Sequence, residues 1–381
     1  HRDLHSFPTR RSSDLNSGIL ATVGIRFNNF STRKMFQRRA WWRLPAGDGQ
    51  MLSVQAQSNG PSFQNYAVSF REPWLGGRKP VSLGASVNYS IQQNIYSADY
   101  RLRIIGSSVD LGKNLKWPDD YFRTFTSLGY KYYEVSQGYS LFGGEGTGYI
   151  NALSIRQMFD RTSIDVPIYP RSGSILNFSV EVTPPWSLFT NRNYKSLPAN
   201  EKFKFLEYHK WKFSFESFTQ LSTNKLPAVF YTRFQSGFLG YYNSDIGLSP
   251  FERFWLGGDG LYGFTLDGRE IFPLRGYNSP NIGGNTGKPV FNKVTFELRQ
   301  PLSLNPTATV WLHAFAEAGN AWNRFDEYNP FSLYRSFGGG VRIFLPMFGL
   351  LGVDYGYGLD NVTTGSVSNR GNFHFMIGQQ F

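Results

Sequence analysis

Bond-making chemistry has little to work with in this chain. There is no cysteine, which removes thiol nucleophiles, disulfide frameworks and zinc ribbons. The five histidines are His1, His5, His209, His313 and His374, and none of the last three stands at metal-ligand spacing from another. Residues 258–263, G-D-G-L-Y-G, match the GxGxxG pattern. A dinucleotide loop needs an amphipathic helix after it. None follows, so this run reads as a glycine-rich strand or turn. No Ser/His/Asp grouping stands out, so the sequence reads as a non-enzyme with no metal and no cofactor.

The elements that carry the remaining polar residues alternate with a period of two. Val294, Phe296 and Leu298 alternate with Lys293, Thr295, Glu297 and Arg299, and Leu351, Val353, Tyr355 and Tyr357 with Gly352, Asp354, Gly356 and Gly358. Such alternation marks β-strands with one apolar and one polar or small face. A soluble sandwich would share it, but here charges stand at mid-strand and aromatics gather near segment ends. That pattern suits a membrane barrel with a wet lumen and interfacial aromatic girdles.

The end of the chain, N-F-H-F-M-I-G-Q-Q-F, places Phe373, Phe375, Ile377 and Phe381 on one parity and His374 and Gly378 on the other. A terminal aromatic at the last outward position is the expected closing strand of such a barrel. No apolar run is long enough for a helical span, while the 17% aromatic content and 40 glycines suit strands. The net charge of +12 is scattered rather than concentrated. It fits anionic outer-membrane lipids as partners and does not support nucleic acid.

Residues 1–15, HRDLHSFPTRRSSDL, show no periodicity connecting them to the rest, and HSFPTRRSSDL looks like a translated sequencing-library adapter. They are expected to be a non-native leader, with a barrel domain over 16–381 and the native N-terminal part missing. About sixteen alternating segments are expected to form the wall. The first is 18–28, the last 372–381, and 251–264 is among them. Closure requires the first to pair with the last, and Gly378 weakens that seam. The segment 267–289, rich in Gly, Pro and Asn, is too long for a hairpin turn and reads as a functional loop.

Within it, Pro273-Leu274-Arg275-Gly276-Tyr277 resembles the V/L-R-G-F/Y loop motif of the BamA-type outer-membrane protein assembly factors. Further matches come in order along 16–381: N-N-F-S at 28–31, E-P-W-L-G-G at 72–77, F-W-L-G-G at 254–258, F-E-L at 296–298, F-A-E-A-G-N-A-W at 315–322, and the closing strand. The resemblance implies a barrel whose sixth loop folds into the lumen, with Leu274, Arg275, Gly276 and Tyr277 as its motif. It implies Glu297 and Glu317 as the arginine's partners on the wall, and the parity of Glu297 agrees. It further implies nascent outer-membrane β-barrel proteins as clients, inserted through a lateral gate at the seam. Accessory lipoproteins would bind through POTRA repeats that, with a signal peptide, are missing here. Secretion pores and autotransporter-assembly relatives share the motif and are the alternative. A diffusion porin is a more distant one.

Overall fold

The computed structural model describes residues 3–9, 20–42, 45–58, 60–77, 80–94, 97–136, 147–190, 192–257, 270–277, 282, 287–346, 349–362 and 371–377. Among these the protein is all-β apart from single helical turns. The glycine-rich run 258–263 lies outside the described residues, as do Gly378 and Phe381. The chain divides into two compact units, residues 1–158, 181–209 and 241–249 forming one and the remainder the other.

In the first unit the strands are β1 (Asp3–Thr9), β2 (Leu20–Phe30), β3 (Gln50–Ser58), β4 (Phe63–Glu72), β5 (Val81–Asn94), β6 (Ser97–Asn114), β7 (Phe122–Val135) and most of β8 (Gly148–Thr162). They are hydrogen-bonded in chain order, and β1 to β7 are antiparallel. Along β3 to β5 exposed apolar side chains recur at every second position of the central strand. Val54 (44% exposed), Tyr66 (47%) and Val87 (56%) are examples.

In the second unit β9 (Gly173–Val182), β10 (His209–Gln220), β11 (Val229–Gly240), β14 (Val290–Asn305), β15 (Ala308–Trp322), β16 (Tyr334–Leu345), β17 (Gly349–Gly358) and β18 (Gly371–Ile377) are neighbours in that order. Between β11 and β14 in the chain, β12 (Phe254–Leu256) and β13 (Glu270–Phe272) form a separate parallel pair. The usual distribution of burial is inverted here. Lys293, Thr295, Glu297, His313, Glu317 and Asp354 are buried, while Phe296, Leu298, Leu312, Val353 and Tyr355 are exposed. A sheet that hides its charges and shows its aliphatic and aromatic side chains is built for an apolar solvent. Tyr169, Phe218, Val229, Tyr231, Trp311, Phe344 and Leu350 form an apolar cluster in the same unit.

The strands neighbouring one another in these two series number sixteen, as expected, but they are not the expected sixteen. The described part of 251–264 is not a wall strand: β11 pairs directly with β14, from Val229↔Arg299 to Phe238↔Val290. Among the described residues of that stretch, Phe254–Leu256 forms a ladder, and it pairs with β13 instead. Nor is residues 18–28 the first strand. Leu20–Phe30 has β3 on one edge and β1 on the other, in register Asp3↔Arg26 to Thr9↔Leu20. Main-chain hydrogen bonding is indifferent to side-chain identity, and in this chain a segment expected to be a leader covers that edge.

Candidate functional site: a loop arginine latched to the inner wall

Three strands of the second unit bring acids to one place. In β14, residues of one parity face inward, and Glu297 is among them. The β14–β15 register sets Thr295 opposite Glu317 and Arg299 opposite His313. The β16–β17 register sets Gly340 opposite Asp354 and Arg342 opposite Gly352. Onto this wall comes the loop residue Arg275, itself only 8% exposed.

Its guanidinium meets three carboxylates. Nη2 donates to Glu297 Oε1 and to Glu317 Oε1, both at 2.7 Å, and Nη1 donates to Asp354 Oδ2 at 3.1 Å. The backbone N–H of Arg275 donates to the other oxygen of Glu317 at 2.9 Å. The Phe315 ring lies beneath the guanidinium, its centroid 3.6 Å from Cζ. A planar fork that stacks on an aromatic ring and divides its donors among several carboxylates is a task for arginine and not for lysine.

The wall supplies each acid with a cation of its own. Lys293 Nζ lies 2.9 Å from Glu317 and donates to the Pro273 carbonyl at 2.5 Å. Arg299 Nε donates to Glu297 Oε2 at 2.9 Å, and Arg342 binds both oxygens of Asp354, one at 2.6 Å. Buried charges persist only when paired and hydrogen-bonded, and this cluster meets that condition without solvent. His313 Nε2 lies 3.1 Å from Asp354 Oδ1 and 3.4 Å from Arg275 Nη1. One nitrogen cannot donate to the acid and accept from the arginine at once, and the shorter contact to a carboxylate assigns it as donor to Asp354.

Beside Arg275 the loop docks by shape. Gly276 has φ +91, and a Cβ built there would lie 2.9 Å from both Gly358 N and Tyr357 C. Reciprocally, a Cβ on Gly356 would lie 2.6 Å from Gly276 N. Glycines on both surfaces let two backbones touch. The Gly276 N–H donates to His374 Nε2 at 2.8 Å, which puts the proton of a neutral His374 ring on Nδ1. Asn372 Nδ2 donates to the Gly276 carbonyl at 3.1 Å. Tyr277 OH donates to the Arg335 carbonyl at 2.6 Å and accepts from Asp360 N at 3.1 Å. A hydrogen bond from Arg335 holds the Asp360 carboxyl below the usual carboxylate range. Leu274 is fully buried.

Of the residues singled out in the sequence, Leu274, Arg275, Gly276, Tyr277, Glu297 and Glu317 therefore come together. Phe373 (65% exposed) and Phe375 (53%) face outward from β18, and the Ile377 backbone pairs with Leu351. Asp354, His313, Arg342, Phe315, Asn372 and His374 were not foreseen at the site. The inward parity of Asp354 and His374 was visible, but their height along the strand was not.

An exposed apolar surface and a buried charged face are the marks of an outer-membrane β-barrel. The model of the Omp85 superfamily domain matches residues 46–381, and the chain belongs to that superfamily, whose members are barrels of the bacterial outer membrane. No curated protein sequence matches it. Among solved structures it is similar to BamA from Haemophilus ducreyi lacking POTRA domains 1–3, at 16% identity and TM-score 0.66, covering 98% of this chain and 74% of that one. It is also similar to CdiB from Escherichia coli, at 14% identity and TM-score 0.55, over 98% of this chain and 66% of that one. CdiB from Acinetobacter baumannii matches at 12% identity and TM-score 0.52, over 98% and 64%. At such identities the likeness is one of fold, and this chain spans about two thirds to three quarters of those proteins.

Proposed function

We propose that the chain is the barrel of an outer-membrane protein assembly factor. It would insert nascent β-barrel proteins through a lateral seam between the first and last strands of its wall. The observation that carries this reading is the grip of the loop motif on the last strand. Gly276 is bonded to His374 and Asn372 of β18, while Arg275 is bonded to β14, β15 and β17. The latch therefore ties the seam strand to the rest of the wall independently of any strand on its far side. A seam strand held from within can leave an outer partner without leaving the barrel. The freed edge offers a row of backbone donors and acceptors to an incoming strand, which adds by β-augmentation. Accessory lipoproteins would belong to periplasmic domains.

The test uses vesicles carrying the refolded chain and a urea-unfolded small outer-membrane barrel as client. Client folding is followed by the gel-mobility shift of folded barrels on heating. A photo-crosslinker replaces Phe375. Faster client folding than in empty vesicles, with a crosslink from β18 to the client, is the expected result. Unchanged client folding together with passage of an unfolded polypeptide into the vesicle would favour the secretion-pore reading. Ion leakage alone would favour a porin.

A further inference from the structure

The segment joining β2 to β3 takes no part in the latch, and it is built rather than loose. Its base is pinned by Ser31 N to the Pro45 carbonyl at 2.9 Å and by Gly47 N to the Asn29 carbonyl at 3.2 Å. Thr32 N donates to Gln50 Oε1 at 2.7 Å. Its lone acid, Asp48, accepts from Ser31 Oγ at 2.6 Å and so faces the base. Beyond that base the segment reads R-K-M-F-Q-R-R-A-W-W over residues 33–42, with no acid. Residues 38–42 form a single 3-10 turn with none of its side chains buried.

What this platform displays is apolar and cationic together. Phe36 is 88% exposed, Trp42 89% and Trp41 52%. Among the described residues Arg33, Arg38 and Arg39 make no ion pair. The segment also lies where strand wall gives way to loop. Alternation of antiparallel strands puts the end of β2, the β4–β5 connection and the β6–β7 connection at one end of the unit. Those connections carry the exposed Trp74 and Trp117. The strands leading to that end present an exposed apolar face, Val23 and Ile25 on β2 and Val54 on β3. In an outer-membrane barrel such a face meets acyl chains, and aromatic residues at its rim sit at headgroup level.

We propose that residues 31–42 form an interfacial anchor that takes anionic phospholipid headgroups. Phe36, Trp41 and Trp42 would enter the acyl boundary, and Arg33, Arg38 and Arg39 would pair with phosphates. Arginine matches phosphate oxygens bidentately, and indole rings favour the boundary between hydrocarbon and water. An acidic protein would meet the same charge. It would not account for the continuity of the exposed aromatics with an apolar wall, and that continuity selects the lipid surface.

The experiment refolds the chain and a Trp41→Phe/Trp42→Phe variant into vesicles of phosphatidylcholine alone, or with phosphatidylglycerol added. Each vesicle carries brominated acyl chains, and the difference emission isolates the tryptophan pair. Heat-shifted gel mobility establishes that both proteins are folded. The expected result is blue-shifted, bromine-quenched difference emission that is strong only with phosphatidylglycerol. Reversing Arg33, Arg38 and Arg39 to Glu in a folded variant should remove it. At about fivefold per neutralised charge, neutralising three lowers the bound-to-free ratio of the loop on the order of a hundredfold, and reversal lowers it further. Red, unquenched emission in both lipids overturns the proposal and leaves a protein partner as the occupant. Equal quenching in both lipids, unchanged by charge reversal, overturns the headgroup assignment.

Discussion

Arg275 is held by charge and Gly276 by shape, and substitution can separate the two. In Arg275→Ala the wall acids keep their own cations, since Glu317 retains Lys293, Glu297 retains Arg299 and Asp354 retains Arg342. The ~3–5 kcal/mol cost of stranding a buried charge therefore does not apply in full. We expect a loss of about 1–3 kcal/mol confined to loop docking, on the scale of lost charge-assisted hydrogen bonds. Limited proteolysis of the loop should become fast while the thermal midpoint of the strands moves little. Arg275→Lys should resemble Ala, because one ammonium cannot serve Glu297, Glu317 and Asp354 as the fork does. A lysine variant as protease-resistant as wild type would refute the fork. Gly276→Ala keeps every charge and should open the loop as much, since its Cβ would strike backbone at 2.9 Å and φ is +91. Left-handed strain alone costs about 1–2 kcal/mol, so protease resistance equal to wild type in this variant would show that the docking is not steric. Arg275 was legible through its motif and Glu297 through its parity. His313, Asp354 and His374 lie 38 to 98 residues from their loop partners in sequence. Their convergence depends on strand register, which no local pattern encodes.

At the scale of elements, the loop is clamped twice. Its tip is the Arg275 latch, and its stem is the β12–β13 pair. Glu270 on β13 meets Lys212 at 2.6 Å and Lys210 at 3.2 Å, and Lys210 also meets Glu252 at 3.1 Å. Phe254 and Phe272 pack on Phe291 of β14, with centroids 4.9 and 4.0 Å away. Glu270→Gln leaves Lys210 paired with Glu252 and leaves Lys212, 31% exposed, to water. We therefore expect a modest destabilisation of about 0.5–1.5 kcal/mol. If stem and tip move as one body, Arg275→Ala and Glu270→Gln will not add, and a double-mutant cycle on loop proteolysis should give a coupling of about 0.5–3 kcal/mol. Additivity within error would mean two independent anchors. This stem explains why Phe254–Leu256 is not part of the wall, although its burial alternates as a strand's does. Phe254 and Leu256 are buried against the wall rather than within it. Alternation identifies a strand, but it does not say which sheet the strand joins.

Along the described strands of the second unit charged side chains are buried and apolar ones exposed, the reverse of a soluble protein. In a barrel every backbone group within the membrane must find a partner, so the outer edge of β2 cannot remain bare. Here Asp3–Thr9 covers it through seven register pairs. If residues 1–15 are a leader foreign to the barrel, that cover depends on main-chain hydrogen bonds and strand competence, not on sequence. Deleting residues 1–15 should then lower the yield of heat-modifiable folded protein and promote association through the bared edge, measured by light scattering in detergent. Replacing Asp3–Thr9 with an unrelated alternating segment of the same length should restore both, and replacing it with a run containing two prolines should not, because each removes a ladder donor. Restoration only by the present sequence would show that its side chains matter and that the segment is part of the barrel proper. Restoration by any strand-forming segment would mean that the edge of β2 accepts strands generically. A seam that receives strands from many different clients would require that same property of its edge.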